Sequence, residues 1–155
     1  MPVPPRSPRV SVTEMTELVL PQHSNVLGTA FGGTVLAWID VAGAICAQRH
    51  TGCVSVTAAI DSVNFVAPIR VGDVVILSAR LNAAFRTSVE VGVTVQVEDR
   101  ITAHRRASVD AFMTFVAVDD AGQPKEVPPL LTETPDDERR AREASERRAA
   151  RLARR

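Results

Sequence analysis

Residues 25–50 constrain this chain more than any others: Asn-Val-Leu-Gly-Thr-Ala-Phe-Gly-Gly-Thr-Val-Leu-Ala-Trp-Ile-Asp-Val-Ala-Gly-Ala-Ile-Cys-Ala-Gln-Arg-His. A Gly-rich loop passes at Gly32-Gly33 into a segment that is apolar or small from Val35 to Ala47, with Asp40 as the one exception. A helix without a polar face belongs in an interior rather than on a surface. Asp40 lies mid-helix, so it cannot cap the helix start. A carboxylate in such surroundings costs several kcal/mol unless it is paired or hydrogen-bonded. It follows Gly33 by seven residues, about two turns, and so shares a stripe with the free N–H groups at the start. Asp40 is therefore either a structural carboxylate bonded to a neighbouring strand or subunit, or the acid of a reactive centre. The Gly-Gly start favours the second reading. Bare glycines admit a ligand closely, and exposed amides at the positive end of the dipole suit an oxyanion.

A chain of 155 residues, 45% hydrophobic and 23% charged, predicts one soluble domain with a real core. Formal net charge is zero, so no global field points to nucleic acid. Charge is concentrated locally, with eight Arg against five acids in residues 136–155. Two cysteines, Cys46 and Cys53, make no disulfide framework and fit a reducing compartment. No run approaches the ~18 apolar residues of a membrane span, and no export segment stands out, so a cytoplasmic location is expected.

Along the chain, residues 1–9 contain four prolines and read as a flexible arm. Residues 10–20 read as a first strand, and the central helix is expected to stop near Gly52. The period then changes to two. Residues 53–66 place Val54, Val56, Ala58 and Ile60 on one face, with Ser55, Thr57, Ala59 and Asp61 on the other. Residues 74–84 form a third strand. In the fourth, Val89, Val91, Val93, Val95 and Val97 alternate with Glu90, Gly92, Thr94, Gln96 and Glu98. Residues 104–118 form a fifth, with Ala107, Val109, Ala111, Met113 and Phe115 inward. Short turns predict an antiparallel four-strand meander after the helix, curled around it to bury every side. The fold class is α+β over residues 10–123. A Pro-containing linker at 124–135 and an Arg-rich helical tail at 136–155 follow. The tail reads as a solvated, partly frayed helix.

Several of these residues carry a resemblance. Asn25-x-x-Gly28-x-x-Phe31-Gly32-Gly33-x-x-x-x-Trp38-Ile39-Asp40 is followed by Val56-Thr57-x-x-x-Asp61-x-x-x-Phe65. Then come Gly72-Asp73-Val74-Val75, Arg86-Thr87-Ser88 and Phe112-x-Thr114-Phe115-Val116. Together, over residues 10–132, they resemble a hotdog-fold acyl-CoA thioesterase of the cytosolic acyl-CoA hydrolase type. The resemblance implies a long central helix wrapped by a curled antiparallel sheet. It also implies hydrolysis of acyl-CoA to a carboxylic acid and coenzyme A, without a resident cofactor or metal. The minimal active unit would be a homodimer, assembled further into a trimer of dimers, with no nucleic-acid or membrane partner. Residue by residue, Asp40 would be the general base or nucleophile, and Asn25 would orient water or thioester from the facing subunit. Gly33 would supply the oxyanion hole, and Thr57 would sit beside the reacting centre. Gly32, Ala58, Ala59, Ile60, Arg86, Thr87, Ser88 and Val89 would contact substrate or the coenzyme A arm.

Further candidates are His23, as a loop residue or a catalytic acid–base part, and Asp61, as a site carboxylate or an exposed strand residue. Arg147, Arg148 and Arg151 would reach the coenzyme A 3′-phosphate if the tail folded back over a neighbouring subunit. His50 and His104 read as capping or surface residues, and no His or Cys pair has metal-ligand spacing. Gly-x-Ser-x-Gly is absent, which argues against a serine hydrolase. Two other readings are a non-catalytic acyl-CoA-binding regulator, which lacks an effector module here, and a hotdog dehydratase or hydratase, for which His23 is the sole acid–base candidate.

Overall fold

The computed structural model describes residues 3–155. The central helix α1 spans Gly32–Thr51 and stops at Gly52, whose φ of 73° is left-handed and whose N–H returns to the Gln48 carbonyl. Glycine adopts that conformation without a Cβ clash, so the chain can turn sharply into the sheet. The strands are β1 (Thr13–Leu18), β2 (Ser55–Phe65), β3 (Val74–Ala84), β4 (Ser88–Glu98) and β5 (Arg105–Ala117). They form one antiparallel sheet in the order β1-β3-β4-β5-β2.

The expected four-strand meander is corrected in one connection. β3, β4 and β5 do follow as hairpins, but β2 pairs with β5 rather than β3. The open edge of β3 is already taken by β1, so β2 closes the opposite side of the sheet. β1 is shorter than expected because residues 8–10 form a 3₁₀ turn, capped by the Ser7 hydroxyl.

α1 lies against one face of the sheet and touches all five strands. The alternation of β4 is realised there: Val89, Val91, Val93, Val95 and Val97 are each at most 2% exposed. They pack with Leu77, Met113 and Phe115 against Val35, Ile39, Ala42 and Cys46 of the helix. Burial pushes the Cys46 thiol up to about 11, as expected of a small buried hydrophobe. In β5 the expected inward phase fails at Ala107. Val95 pairs with Val109 and Gln96 with Ala107, so a bulge at Ser108 buries the serine and turns Ala107 outward.

The helix is not covered on every side by its own chain. Phe31 is 50% and Val41 49% exposed, and the free edge of β2 carries Val56, Ile60 and Phe65, all exposed.

The second helix, α2 (Pro135–Ala153), lies on the opposite face of the sheet. It starts with a capping box between Thr134 and Asp137. Its acids lead and its arginines follow, as the helix dipole favours. The expectation of a solvated tail is overturned by its contacts. Ala144 is fully buried, and Asp137, 1% exposed, accepts from Arg9 and Arg80. Glu90, outward between two core valines and 1% exposed, is gripped by Arg147 at 2.7 Å. A helix with one large apolar residue docks here through ion pairs at its sheet-facing positions.

Within the segment expected as a flexible arm, Arg6 pairs with Leu130 and donates to the His50 carbonyl at 2.7 Å. His50 is fully buried rather than a surface residue, and its Nε2 donates to the Pro128 carbonyl at 2.7 Å. Burial holds its pKa below the ordinary value of 6.5, so the ring is neutral at pH 7.

Candidate active site

Asp40 is brought against β2 by the path of that strand. Simple alternation from residue 53 would put Thr57 and Ile60 on opposite faces. The structure places two bulges, between Thr57 and Ala59 and between Ile60 and Ser62. Thr57 pairs with Phe115 and Ile60 with Met113, both core residues, so Thr57 and Ile60 share the helix-facing side. The Thr57 hydroxyl donates to Asp40 Oδ1 at 2.5 Å. Asp40 is half-buried rather than sunk, and its Oδ2 has no partner among the described residues. One oxygen is thus oriented by a hydroxyl, and the other is available to accept a proton.

At the helix start, Phe31 gives no side-chain cap. Thr34 and Val35 return their N–H groups to the Phe31 carbonyl, while the Gly32 and Gly33 amides find no acceptor among the described residues. A Cβ on Gly33 would meet nothing within 4 Å, and one on Gly32 would come to 3.6 Å from Phe65. Bare, unpaired N–H groups at a helix start facing open space form an anion site. Beside them is a cavity of about 260 Å³ lined by Ala30, Val35, Phe65, Pro68 and Ile69 among others. Gly33 and Asp40 are about 10 Å apart along the helix at ~1.5 Å per residue. The Asp40 side chain leans toward the N-terminus and shortens that gap. A water and a carbonyl group would bridge the remainder.

Asn25 is not joined to Asp40 or Thr57 within the chain. Its Oδ1 accepts the Leu27 and Thr29 amides, and its Nδ2 donates to Thr29 Oγ1 at 2.8 Å. The second amide proton remains free to point out of the loop. His23 accepts the Leu20 N–H on Nδ1, and its ring meets Trp38 edge-on at 5.1 Å. It therefore braces the loop against α1.

Of the remaining candidates, Ala58 and Ile60 are exposed and Ala59 half-buried on the edge of β2, while Arg86 is exposed and Thr87 and Ser88 half-buried at the β3–β4 turn. Val89 is fully buried, so its side chain belongs to the core. Asp61 is neither exposed nor free, because Arg151 Nη1 lies 2.9 Å from both its oxygens and its side chain is 9% exposed. Arg147 is held by Glu90, while Arg148 stacks on Phe85 at 4.8 Å. α2 lies on its own sheet, and the reach of Arg147 and Arg151 is used up there. Sequence reasoning missed the bulges and the buried cluster in which Glu90 accepts from Arg147 and, at 3.0 Å, from Asn82 Nδ2. A buried acid inside a valine repeat, opposite an Arg-rich tail, was the available signal for the cluster. Among the described residues no group of three His, Cys, Asp or Glu is placed to hold a metal ion, and no helix is long and apolar enough to cross a membrane.

The model of the thioesterase superfamily matches residues 27–104, from the Asn25 loop through β4. The chain belongs to the thioesterase superfamily. The mouse protein acyl-coenzyme A thioesterase 11 is 40% identical over 153 residues, covering 98% of this chain. The chain spans only 25% of that protein's length. Among solved structures, an apo-hexameric acyl-CoA thioesterase superposes with a TM-score of 0.93 at 39% identity, covering 98% of this chain and 97% of the other. An acyl-CoA hydrolase from Staphylococcus aureus, solved with butyryl coenzyme A, coenzyme A and coenzyme A disulfide, superposes at 0.91 and 36% identity over 97% and 92%. These neighbours share the hotdog architecture of a curled antiparallel sheet around a long helix. Variants of the S. aureus hydrolase with an Asn, an Asp or a Thr replaced by Ala have also been solved, at positions separated by 15 and 17 residues. Asn25, Asp40 and Thr57 have the same separations.

Proposed function

We propose that this chain hydrolyses acyl-CoA thioesters to a carboxylic acid and free coenzyme A, with Asp40 as the acid of the site. The observation that carries the reading is the half-buried Asp40, aimed by the Thr57 hydroxyl on the stripe that begins at the unpaired Gly32 and Gly33 amides. In the general-base form, Asp40 takes a proton from water as its oxygen attacks the thioester carbonyl carbon. The resulting oxyanion is held by the Gly33 amide. Collapse breaks the carbon–sulfur bond, and the departing thiolate recovers the proton from Asp40. In the nucleophilic form, Asp40 itself attacks the carbonyl, the carbon–sulfur bond breaks as the coenzyme A thiolate leaves, and water then cleaves the mixed anhydride to the carboxylic acid and free Asp40. The Thr57 bond orients the carboxylate in either case. Preorganised amides at a developing oxyanion typically contribute a factor of about 10²–10³ each.

Asn25 completes the site from a facing subunit, where its free amide proton orients water or carbonyl. The exposed apolar strip along α1 and the edge of β2 supports a homodimer, and the hexameric relative supports further assembly into a trimer of dimers. Ala58, Ala59 and Ile60, with Arg86, Thr87 and Ser88, line the path of the coenzyme A arm. Arg86 and Arg148 carry no carboxylate partner among the described residues, so they suit its phosphates. The chemistry needs no resident cofactor, and the reduced cysteines fit a cytoplasmic location.

The test is thiol release from a panel of acyl-CoA chain lengths. Wild-type protein turns over at least one of them. Asp40→Ala and Asp40→Asn keep the melting temperature within a few degrees and lose at least about 10²-fold in kcat. Thiol release by Asp40→Ala at the wild-type rate would overturn the assignment.

A further inference from the structure

β2 is the edge strand that carries Thr57, and β5 alone holds it to the sheet within the chain. Its two bulges leave it with two more residues than β5 between Val56 and Val63. Bulges remove ladder hydrogen bonds and bend the strand, so the path of residues 57–61 needs another support. α2 supplies it at the second bulge. Asp61 and Ser62 together oppose Phe112. Arg147 lays its guanidinium 3.7 Å over the Phe112 ring, and Arg151, one helical turn later on the same stripe, holds Asp61. The Arg151–Asp61 pair is largely withdrawn from water, with side chains 14% and 9% exposed. Its loss would leave a carboxylate poorly solvated, and the bulge would rearrange to expose it.

We propose that Arg151 is a positioning residue for the hydrolytic centre: by clamping the Asp61 bulge from α2 it sets the position of Thr57, and through Thr57 that of Asp40. The inference rests on the reading of Asp40 as the acid of the site. Asp61 and Thr57 are about 13 Å apart along an extended strand, so Arg151 acts through the backbone of β2 and touches no reacting atom. The family model ends at residue 104, before α2 begins; the clamp thus comes from outside the part of the chain that carries Asp40.

Arg151→Gln makes a clean test because α2 keeps its anchors at Asp137, Ala144 and Arg147. The expected result is a kcat lowered about tenfold with KM within about twofold, since small misplacements of catalytic groups act on turnover. Arg151→Lys restores most of the loss. In a Thr57→Ala background, Arg151→Gln adds nothing, because the element it positions is gone. Amide hydrogen exchange at residues 57–61 speeds up in Arg151→Gln but not in Arg142→Gln, a change at an exposed arginine of the same helix. Full additivity with Thr57→Ala overturns the proposal, as does a raised KM with unchanged kcat, which would place Arg151 on the coenzyme. Unchanged exchange overturns the clamp whatever the activity. A wild type that releases no thiol, or a fully active Asp40→Ala, marks failure of the hydrolase reading and removes the catalytic role, while accelerated exchange would still identify the clamp.

Discussion

The two glycines that matter most in α1 have opposite surroundings. Gly33 stands at the helix start with open space where a Cβ would go, whereas a Cβ on Gly43 would lie 2.9 Å from the Phe115 ring. Gly33→Ala should therefore fold as well as wild type or better, since alanine in a helix is favoured by roughly 0.5–1 kcal/mol. If its amide cradles the oxyanion, the added methyl stands in the substrate's approach, and kcat/KM falls by about tenfold or more. Gly43→Ala should do the reverse, costing about 1–3 kcal/mol by overpacking while leaving the chemistry of the remaining folded enzyme intact. Thermal melts and thiol-release kinetics on the two variants separate these effects. Retained turnover in Gly33→Ala would show that the substrate does not pass through the space a Cβ at Gly33 would fill.

At the scale of elements, each end of α1 has its own fastening. The start is held by the His23 loop, through Phe31 N–H to the His23 carbonyl at 2.8 Å. The end is held by His50, whose ring reaches Pro128 in the segment before α2. Burial lowers the His50 pKa below 6.5, so between that value and the lowered one the unfolded chain binds a proton that the folded chain does not. Stability from this residue is then complete above pH 6.5 and is lost as pH falls through the folded-state value. Melting temperature should drop as buffer pH is lowered from about 7.5 to about 5.5. His50→Gln keeps a donor for Pro128 without a titrating group, so its melting temperature should fall less over the same range. Equal pH slopes in the two proteins would rule His50 out as the source.

The whole molecule leaves apolar side chains uncovered: Phe31 just before the helix and Val41 on it, Ile60 and Phe65 on the helix-facing side of β2, and Val56 on its other side. An exposed strand edge beside an apolar surface is a template for pairing with another chain. If Asn25 serves Asp40 from a facing subunit, as proposed, activity depends on that pairing. Val56→Lys puts a charge on the edge. It should shift sedimentation toward smaller species and lower kcat along with the shift, although Val56 alternates with Thr57 and points to the other face of the sheet. A Val56→Lys protein that is monomeric and fully active would show that one chain holds a complete site.

Much of this was legible in the residues because it depended on local rules. The period of α1, its stop at Gly52, the valine alternation of β4 and the Asp40–Gly33 stripe follow from helix and strand geometry along one segment. The α+β class and the long helix within an antiparallel sheet follow from those segments needing mutual burial. What the tertiary structure decided depended on segments far apart in sequence. β2 crosses to β5 because β1 occupies the edge of β3; the pairing with Phe115 faces Thr57 toward the helix, and the bulge at Ala58 brings Ile60 to the same side. The Arg-rich tail, which resembles a solvated helix by composition, is bound by Glu90, Asp61, Arg80 and Arg9, acids and bases from four other parts of the chain. Sequence period records which side of an element is apolar. It does not record which opposite charge the fold will bring within hydrogen-bond distance, because that depends on the packing of the whole chain.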